Sequence, residues 1–517
     1  MYVVSVFPLP DSQYFIWQTI MLALEILYLF SVVLLAVYGL NSLILTWLYR
    51  QHQGETSRGQ MGVPVDAGTS FPHPHVTVQL PVYNERHVVE RLIEAAISMD
   101  WPARRLQIQV LDDSTDDTRQ IIAAALERYR ARGVSIEIEH VRRPDRRGFK
   151  AGALQHGLAS ARGEFVAIFD ADFIPPRDFL KRTIPGFADP DVGCVQTRWG
   201  HVNPDTSQLT KAQSLGIDGH FVVEQAARHT ARAYLNFNGT AGVWRRACMD
   251  DAGGWQGDTL TEDLDLSYRA QLRDWRIVYR SDVVVPAELP VQIDAFKRQQ
   301  FRWAKGSIQT ARKLLGRLWR APQPLWLKLM GTLHLTNYSV HPLMLVNLIL
   351  ILPMTLSDSP ALVLTPFFTL SAIGPPLLYW TAMRNRSLSP PARLGRLAVL
   401  VALGTGLAVN NTRAVSEAVL GIDSEFKRTP KFAITDGSTA WQNSTYALHR
   451  NPAAWLELLL ALYAFTLLVW TISQGIWWLV PWLVMYAGGY AYVSGLAFRQ
   501  AWETKTARAK EAVSLAQ

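Results

Sequence analysis

The chain has 517 residues, which is too long for one ordinary domain, and 49% of them are hydrophobic whereas only 18% are charged. We attribute the net charge of +8 first to the positive-inside bias of membrane proteins, since no basic helix or stacking platform indicates nucleic-acid binding. The two cysteines, Cys194 and Cys248, argue against a disulfide framework or a zinc site and fit a reducing cytoplasm. Because the charged residues are concentrated between residues 72 and 315, we expect a soluble domain inserted between membrane segments.

The first 50 residues predict a transmembrane helix. Residues 15–48 form an apolar run without Lys or Arg, and Arg50 follows it directly. This charge bias places the N-terminus outside and Arg50 in the cytoplasm, and the run is long enough to span a bilayer core of about 30 Å. The polar residues 51–71 are predicted to be a linker.

Further apolar stretches follow the charged span and predict a membrane region at residues 326–498. They lie at residues 327–355, 360–383, 395–409, 453–473 and 476–497. Four arginines after the second stretch place that connection in the cytoplasm. We expect the short stretch 395–409 to lie in the membrane plane or to be re-entrant, because a full crossing would put residues 421–450 outside. This gives five crossings and a cytoplasmic tail at residues 499–517, with six crossings as the alternative.

Strand and helix patterns alternate in the soluble span. Strands are predicted at residues 76–80, 106–111, 135–140 and 165–169, and helices at residues 86–99, 118–132 and 150–161. The alternation predicts a parallel sheet with helices on both faces. Ligands of such sheets bind at the carboxyl ends of the strands, where residues 81–85, 112–113 and 170–172 fall.

Two acidic motifs follow predicted strands. Asp170-Ala171-Asp172 brings together two carboxylates, which hard divalent cations such as Mg²⁺ prefer, and the alternative is a solvated turn. In the run from Asp112 to Asp116 the first carboxylates can contact a nucleotide base or ribose. The alternative there is an Asx turn that caps the next helix, and both interpretations can hold together.

Two glycine-containing segments lie between these acids and the next motif. Lys150 stands at a predicted helix start among small residues, which suits a diphosphate, and the alternative is a surface lysine. Residues 237–242, Phe-Asn-Gly-Thr-Ala-Gly, are either a plain turn or a place where a sugar approaches the backbone.

Thr261-Glu262-Asp263 marks a predicted helix start. Carboxylates at this position also complement the helix dipole. If a sugar hydroxyl is the attacking group, one of these acids must act as its base, and Asp263 is our candidate.

Residues 297–313 are basic and amphipathic and contain Gln299-Gln300-Phe301-Arg302-Trp303. The pattern alone predicts a helix on the membrane surface. Arginine can also neutralise a diphosphate, and an indole is a platform for a sugar ring.

These motifs, in this order, resemble those of the processive, membrane-embedded family-2 glycosyltransferases, which include cellulose, hyaluronan, chitin and mannan synthases. The likeness runs from about Val76 to Leu315 and reappears at residues 426–431. The latter, Phe-Lys-Arg-Thr-Pro-Lys, is similar to the FxVTxK gating loop of cellulose synthases, with Arg428 where Val is usual. The plant cellulose-synthase-like mannan and glucan synthases are the most similar in detail.

The resemblance implies a Rossmann-like α/β GT-A catalytic domain at residues 72–295, interface helices at residues 296–325 and a cytoplasmic gating loop at residues 421–450. It implies that Asp263, beside Glu262, is the catalytic base. The implied metal ligands for Mg²⁺ or Mn²⁺ are Asp170 and Asp172. The implied donor-binding residues are Tyr83, Glu85, Asp112, Asp113, Lys150, Asp170, Arg302 and Lys431, and the implied acceptor-binding residues are Gln299, Arg302 and Trp303.

The sequence therefore predicts an inverting, processive β-glycosyltransferase that polymerises a hexose and passes the polymer across the membrane. The product would be a glucan, a mannan or a glucomannan, and the donor UDP-glucose or GDP-mannose. The expected partners are the nucleotide sugar, the growing polysaccharide and membrane lipids, with no nucleic acid. The alternative is transfer of one sugar to a lipid acceptor. The expected location is a bacterial inner membrane, with the catalytic domain in the cytoplasm.

Overall fold

A seven-stranded mixed sheet forms the centre of the soluble domain in the computed structural model. The structure describes residues 11–51, 73–357, 359–362, 365–366, 370–386, 388–434, 440–448 and 451–516. Most of the expected linker, and parts of the apolar stretch 360–383 and of the loop 421–450, lie outside these residues. The strands are β1 (Val76–Val82), β2 (Leu106–Asp112), β3 (Glu137–Val141), β4 (Phe165–Ile168), β5 (Val192–His201), β6 (Gly242–Arg245) and β7 (Arg276–Ala287).

The strand directions correct the expectation of a parallel sheet. The strand order is β3-β2-β1-β4-β6-β5-β7, and the four predicted strands pair in parallel, as expected. The short strand β6 runs antiparallel to both β4 and β5, so the expectation of parallel pairing is wrong at this point. The sheet is therefore mixed, and β6 joins the predicted half to the strands β5 and β7.

The central strands form because almost every side chain on them is buried. All residues of β2 are buried, and so are all those of β1 except Pro81. The polar side chains among them pair across the strands: Thr77 Oγ1 donates to Gln107 Oε1 at 2.7 Å, and Gln79 Nε2 donates to Gln109 Oε1 at 3.0 Å. Buried polar groups that are paired in this way do not carry the cost of lost hydration.

Helices cover both faces of this sheet, as predicted. Helix α1 (Asp11–Gln51) forms the N-terminal segment before the soluble domain. The helices of the soluble domain are α2 (Val89–Ile97), α3 (Thr118–Ala131), α4 (Phe149–Leu158), α5 (Phe179–Thr183), α6 (Gln208–Asp218), α7 (Gln225–Thr230), α8 (Arg246–Asp251) and α9 (Glu262–Gln271). Side chains of α2, α3 and α5 share one hydrophobic core, and those of α4, α8 and α9 share another. A single π-helical turn, Gly219–Glu224, links α6 to α7.

The remaining helices form the membrane region and its junction with the soluble domain. They are α10 (Ile293–Arg320), α11 (Leu325–Leu335), α12 (Val340–Leu356), α13 (Gly374–Ala382), α14 (Pro390–Gly406), α15 (Ala408–Leu420), α16 (Ala453–Ser473) and α17 (Val480–Ala516).

Three helical segments within the described ranges are long and apolar enough to cross a membrane: residues 15–51, 337–356 and 453–473. The pair α14 and α15 meets the same criterion only as one segment bent by 43°, which fits either a broken span or a re-entrant loop. Most of the expected stretch 476–497 is part of the long helix α17, which begins at Val480. The number of crossings therefore stays a prediction.

Helix α10 is anchored by buried ion pairs. Lys297 Nζ lies 2.7 Å from Glu457 Oε2 of α16, and Lys305 Nζ lies 2.9 Å from Glu417 Oε2 of α15. Both lysines are at most 1% exposed. These two lysines therefore point into the protein, and the position of the helix at the membrane surface stays a prediction.

Candidate active site

A deep cleft opens at the carboxyl ends of β1 and β4, between the start of α9, helix α10 and residues 426–431. It encloses about 1290 Å³ of empty space, part of which is open to solvent. Its described lining contains seven carboxylates and five cations: Glu85, Asp113, Asp170, Asp172, Glu262, Asp263, Glu288, Arg146, Lys150, Arg302, Arg428 and Lys431. Such a lining can bind a charged ligand, because its cations and carboxylates can stabilise charges of both signs.

The Asp170–Asp172 pair lies directly after β4, and each carboxylate contacts a lysine. Lys150 Nζ lies 2.5 Å from Asp170 Oδ1, and Lys431 Nζ lies 2.6 Å from Asp172 Oδ2. The backbone N–H of Asp170 donates to Thr240 Oγ1 at 2.9 Å, which fixes the turn. Two lysines from distant segments thus hold positive charge where the sequence predicts a metal.

The same carboxylates fit a divalent cation by their chemistry. Mg²⁺ and similar ions take hard oxygen ligands and are commonly held by one or two carboxylates together with substrate phosphates. Among the described residues no group of three or more His, Cys, Asp or Glu side chains is arranged to hold a metal. Asp170 and Asp172 would therefore hold an ion that they share with a bound ligand.

Glu262 and Asp263 stand on the first turn of α9, as predicted. Burial and the neighbouring charge of Glu262 raise the pKa of Asp263 to about 7, against the opposing effect of Lys150. Burial also raises the pKa of Glu262. A carboxylate that titrates near neutral pH is suited to accept and release a proton.

Asp265, one of the two alternatives to Asp263 on this helix, is already paired. Asp265 is fully buried, and its carboxylate contacts Arg269 at 2.8 Å and Lys313 at 3.0 Å. Glu262 and Asp263 are therefore the carboxylates of α9 that face the cleft.

Gly239 lies close to both Asp263 and Lys150. Its φ is +81°, and a Cβ atom here would lie 2.9 Å from Asp263 Oδ2. Its carbonyl accepts a hydrogen bond of 2.8 Å from Lys150 Nζ. Any larger residue would displace Asp263, so the Phe237–Gly242 segment is more than a plain turn.

Lys150 lies between the Asp170–Asp172 pair and the acids of α9. Its ammonium lies 2.5 Å from Asp170 and 3.8 Å from Glu262 Oε1. Burial disfavours the ammonium, but these carboxylates raise the pKa of Lys150 above its ordinary value. The group is therefore a fixed cation inside the cleft and not a surface lysine.

Tyr83 and Glu85 line the end of the cleft nearest β1. The Arg146 guanidinium lies 3.4 Å from the centre of the Tyr83 ring. Glu85 Oε2 lies 3.1 Å from Arg428. Burial raises the pKa of Glu85 to about 8 although Arg428 opposes it.

The two neighbouring aspartates have different environments. Asp113 lines the cleft and accepts two hydrogen bonds from Arg143, at 2.8 and 2.6 Å. Asp112 is not part of the cleft lining. Its carboxylate accepts from the backbone N–H of Ser114 at 2.8 Å and contacts His140 Nε2 at 2.9 Å. The Asx-turn alternative therefore describes Asp112, whereas Asp113 reaches the predicted ligand site.

Gln299, Arg302 and Trp303 all line the cleft from α10. The Trp303 ring centre lies 6.4 Å from that of Trp199 on β5, at an angle of 52°. Burial lowers the pKa of Arg302, against the charges of the surrounding carboxylates. The guanidinium also lies 4.7 Å from the ring centre of Phe426.

Residues 426–431 close one side of the cleft. Phe426 stacks on Phe149 with ring centres 5.5 Å apart. Lys431 also donates to the backbone carbonyl of Glu288 at 2.7 Å. Further along, the Tyr446 hydroxyl bonds to Asp116. Residues 426–431 and Tyr446 thus contact the soluble domain at several points.

Sequence reasoning missed three contributors to this site. Arg143 and Arg146 belong to the run Arg142 to Arg147, whose density of arginine before Gly148 was a usable signal. Glu288 follows β7, and since β7 was not predicted, nothing indicated that this residue would reach the cleft.

The fold and the cleft together are those of a GT-A-like glycosyltransferase, which confirms the fold class predicted from the sequence. Residues 73–306 match the model of a family described as Glycosyltransferase like family 2.

Plant proteins are among the sequence relatives of the chain. It is 45% identical over 247 residues to glucomannan 4-beta-mannosyltransferase 2 of Arabidopsis thaliana, which covers 47% of this chain and 46% of that protein. It is 44% identical over 255 residues to the probable glucomannan 4-beta-mannosyltransferase 9 of Oryza sativa subsp. japonica, or 48% of each chain. The chain thus spans about half the length of these relatives.

A solved structure with a similar fold is a mannosyltransferase from Pyrobaculum calidifontis in complex with GDP-Man and Mn²⁺. The two share 21% sequence identity with a TM-score of 0.45, over 75% of this chain and 100% of the other.

Proposed function

We propose that this protein is an inverting β-glycosyltransferase that extends a β-linked hexose polymer, with mannose as the transferred sugar, from a nucleotide sugar. The observation that carries the proposal is the position of Asp263. It is a carboxylate with a pKa raised to about 7 that faces Lys150 and the Asp170–Asp172 pair across one cleft. The plant relatives, named as glucomannan mannosyltransferases, support the choice of sugar.

The proposed reaction is a single displacement. Asp263 takes the proton from the acceptor hydroxyl while that oxygen attacks the anomeric carbon. The bond from the anomeric carbon to the phosphate oxygen breaks, and its electron pair leaves with the nucleoside diphosphate. Lys150 and Arg302 lie where they can offset the charge that develops on the leaving group.

Asp170 and Asp172 would hold Mg²⁺ or Mn²⁺ together with the diphosphate. When bound, such an ion supplies positive charge that stabilises the leaving diphosphate. Tyr83, Glu85 and Asp113, which line the same cleft, would contact the nucleoside. Trp303 would carry the terminal sugar of the acceptor, since an indole face packs against the C–H face of a pyranose.

The membrane region supports a polymer product. Helix α10 carries Trp303 and packs directly against α15 and α16, so the proposed acceptor site adjoins the segments that can span a bilayer. Passage of the polymer between these helices is part of the proposal. The plant relatives give no support to a bacterial inner membrane, which stays a prediction.

The test is a donor screen with purified protein in nanodiscs. GDP-mannose and UDP-glucose are each supplied with an oligosaccharide acceptor, and both diphosphate release and product length are measured. The proposal requires release of GDP with a ladder of mannose-containing products. A single glycolipid as the only product would support the lipid-acceptor alternative, and absence of turnover with both donors would contradict the proposal.

A further inference from the structure

Asp218, the last residue of α6, is a buried carboxylate that joins three segments of the chain. Its residue is only 2% exposed. Its Oδ1 lies 3.0 Å from His201 Nε2 and 3.7 Å from Arg198 Nη2. Its Oδ2 accepts a hydrogen bond from Arg386. A buried charge is costly unless it is paired and hydrogen-bonded, so these contacts hold the side chains in fixed places around Asp218.

Two of these partners flank a tryptophan at the wall of the cleft. Arg198 precedes Trp199 on β5, and His201 follows it by two residues at the end of that strand. Trp199 and His201 both line the cleft, and so does Ile217, which precedes Asp218. The Asp218 carboxylate therefore holds the segment that carries Trp199 on both sides of this residue.

Trp199 lies between the Asp170–Asp172 pair and the tryptophan of α10. Its ring centre lies 5.1 Å from that of Phe173, which directly follows Asp172. It lies 6.4 Å from the ring centre of Trp303, and the two rings meet at 52° instead of stacking. Both tryptophans are partly exposed and line the cleft. A sugar that rests on Trp303 would therefore have the indole of Trp199 beside it.

The third partner of Asp218 comes from the membrane region. Arg386 lies between α13 and α14, and it is one of the four arginines whose positions in the sequence indicate a cytoplasmic connection. Leu209 of α6 and Leu403 of α14 belong to one hydrophobic core, so the two helices also pack together. Asp218 thus joins the wall of the cleft to the membrane region.

We propose that Asp218 is a positioning residue that, through Arg198 and His201, sets Trp199 beside Trp303, so that both indoles contact the end of the acceptor. This inference rests on the proposed function for the nature of the acceptor, but acceptor binding can be measured without turnover.

The first experiment measures acceptor binding with no donor present. Full-length protein in nanodiscs is titrated with mannohexaose that carries a fluorophore at its reducing end, and binding is followed by fluorescence anisotropy. In Asp218→Asn the one remaining side-chain oxygen cannot replace both carboxylate oxygens, so Trp199 loses its fixed position. Because a ring contact is worth up to about tenfold in a dissociation constant, we expect that of mannohexaose to rise by about 3- to 10-fold.

A double-mutant cycle separates positioning from a general loss of stability. Trp199→Ala alone should weaken mannohexaose binding by about tenfold. If Asp218 acts through Trp199, adding Asp218→Asn to that variant should weaken binding no further, because the contact has already been removed. If the two single effects multiply in the double variant, the proposal is overturned.

The matched control is Asp205→Asn. Asp205 also pairs with an arginine of the membrane region, since its Oδ1 lies 2.9 Å from Arg396, but it is exposed and does not belong to the described lining of the cleft. This variant should bind mannohexaose like the wild type. Calorimetric donor affinity should be unchanged in every variant, which reports an intact fold. Arg386→Gln, which leaves the carboxylate in place, replaces Asp218→Asn if that variant does not fold.

Wild-type mannohexaose binding in Asp218→Asn, or in Arg386→Gln as its replacement, would refute the positioning role. A wild type that does not bind mannohexaose would overturn this inference and the proposed function together. Weaker binding by Asp218→Asn, with no turnover of either donor by the wild type, would instead count against the proposed function alone.

Discussion

Lys431 and a divalent metal should compete for Asp172. The ammonium lies 2.6 Å from the carboxylate, both residues are at most 8% exposed, and Asp172 is one of the two proposed metal ligands. A hydrogen bond to a charged group is worth about 1.5–3 kcal/mol. Lys431→Gln removes the positive charge that competes with the metal, but its amide can still donate to the Asp172 carboxylate. We therefore take the loss at the lower end of the range for bonds to charged groups, about 1.5 kcal/mol, which predicts roughly tenfold tighter metal binding.

The assay is titration of Mn²⁺ into nucleotide-free protein in nanodiscs, with free Mn²⁺ measured by electron paramagnetic resonance. Lys427→Gln is the matched control, because it removes the same charge from an exposed position four residues away. The control should change the affinity only through general electrostatics, which salt screens.

With a nucleoside diphosphate present, Lys431 should no longer compete with the metal for Asp172. Lys431 is then free to contact the diphosphate, so its loss should weaken nucleotide binding while the metal still binds. Unchanged or weaker Mn²⁺ binding by Lys431→Gln in the absence of nucleotide would refute the competition. It would show that Lys431 supports the metal site.

Other predictions test the base, the acceptor platform and the topology. Asp263→Asn should lower kcat by about 10²–10⁴-fold while calorimetric donor affinity is kept, and near-normal turnover would place the base elsewhere. Because the pKa of Asp263 is raised to about 7 and the carboxylate is the active form, wild-type kcat should fall about tenfold per pH unit as pH drops below 7. Trp303→Ala should shorten the polymer on sizing gels with donor affinity unchanged, and wild-type length would make it a membrane anchor only. A cysteine at exposed Glu425 should be labelled from the side of the catalytic domain alone; Cys194 and Cys248 are buried and can remain.

The sequence predicted the site wherever the signal was local. Runs such as Val76-Thr77-Val78 are β-rich and end in turn residues, so the strand ends and the acids that follow them could be placed on one edge. Asp170, Asp172 and Asp263 were identified for this reason, and the structure brings all three into one cleft.

Other features depend on contacts between distant segments and could not be read from local patterns. Strand β6 is only Gly-Val-Trp-Arg, too short to show an alternating pattern, and its direction is set by its neighbours β4 and β5. Asp112 and Asp113 are chemically identical, and only the positions of His140 and Arg143 separate their roles. The contact of Lys431 with Asp172 joins residues 259 positions apart.

The two buried lysines of α10 have a consequence for how such proteins recombine. A gene fragment that ends after Arg320 would encode Lys297 and Lys305 without Glu457 and Glu417. Breaking one buried ion pair costs about 3–5 kcal/mol. The free energy of unfolding of an ordinary domain is only about 5–15 kcal/mol, so losing both pairs would remove most of it. The catalytic and membrane halves are therefore not interchangeable modules. A chimera of two relatives should survive only if both glutamates are inherited together with the lysines they neutralise.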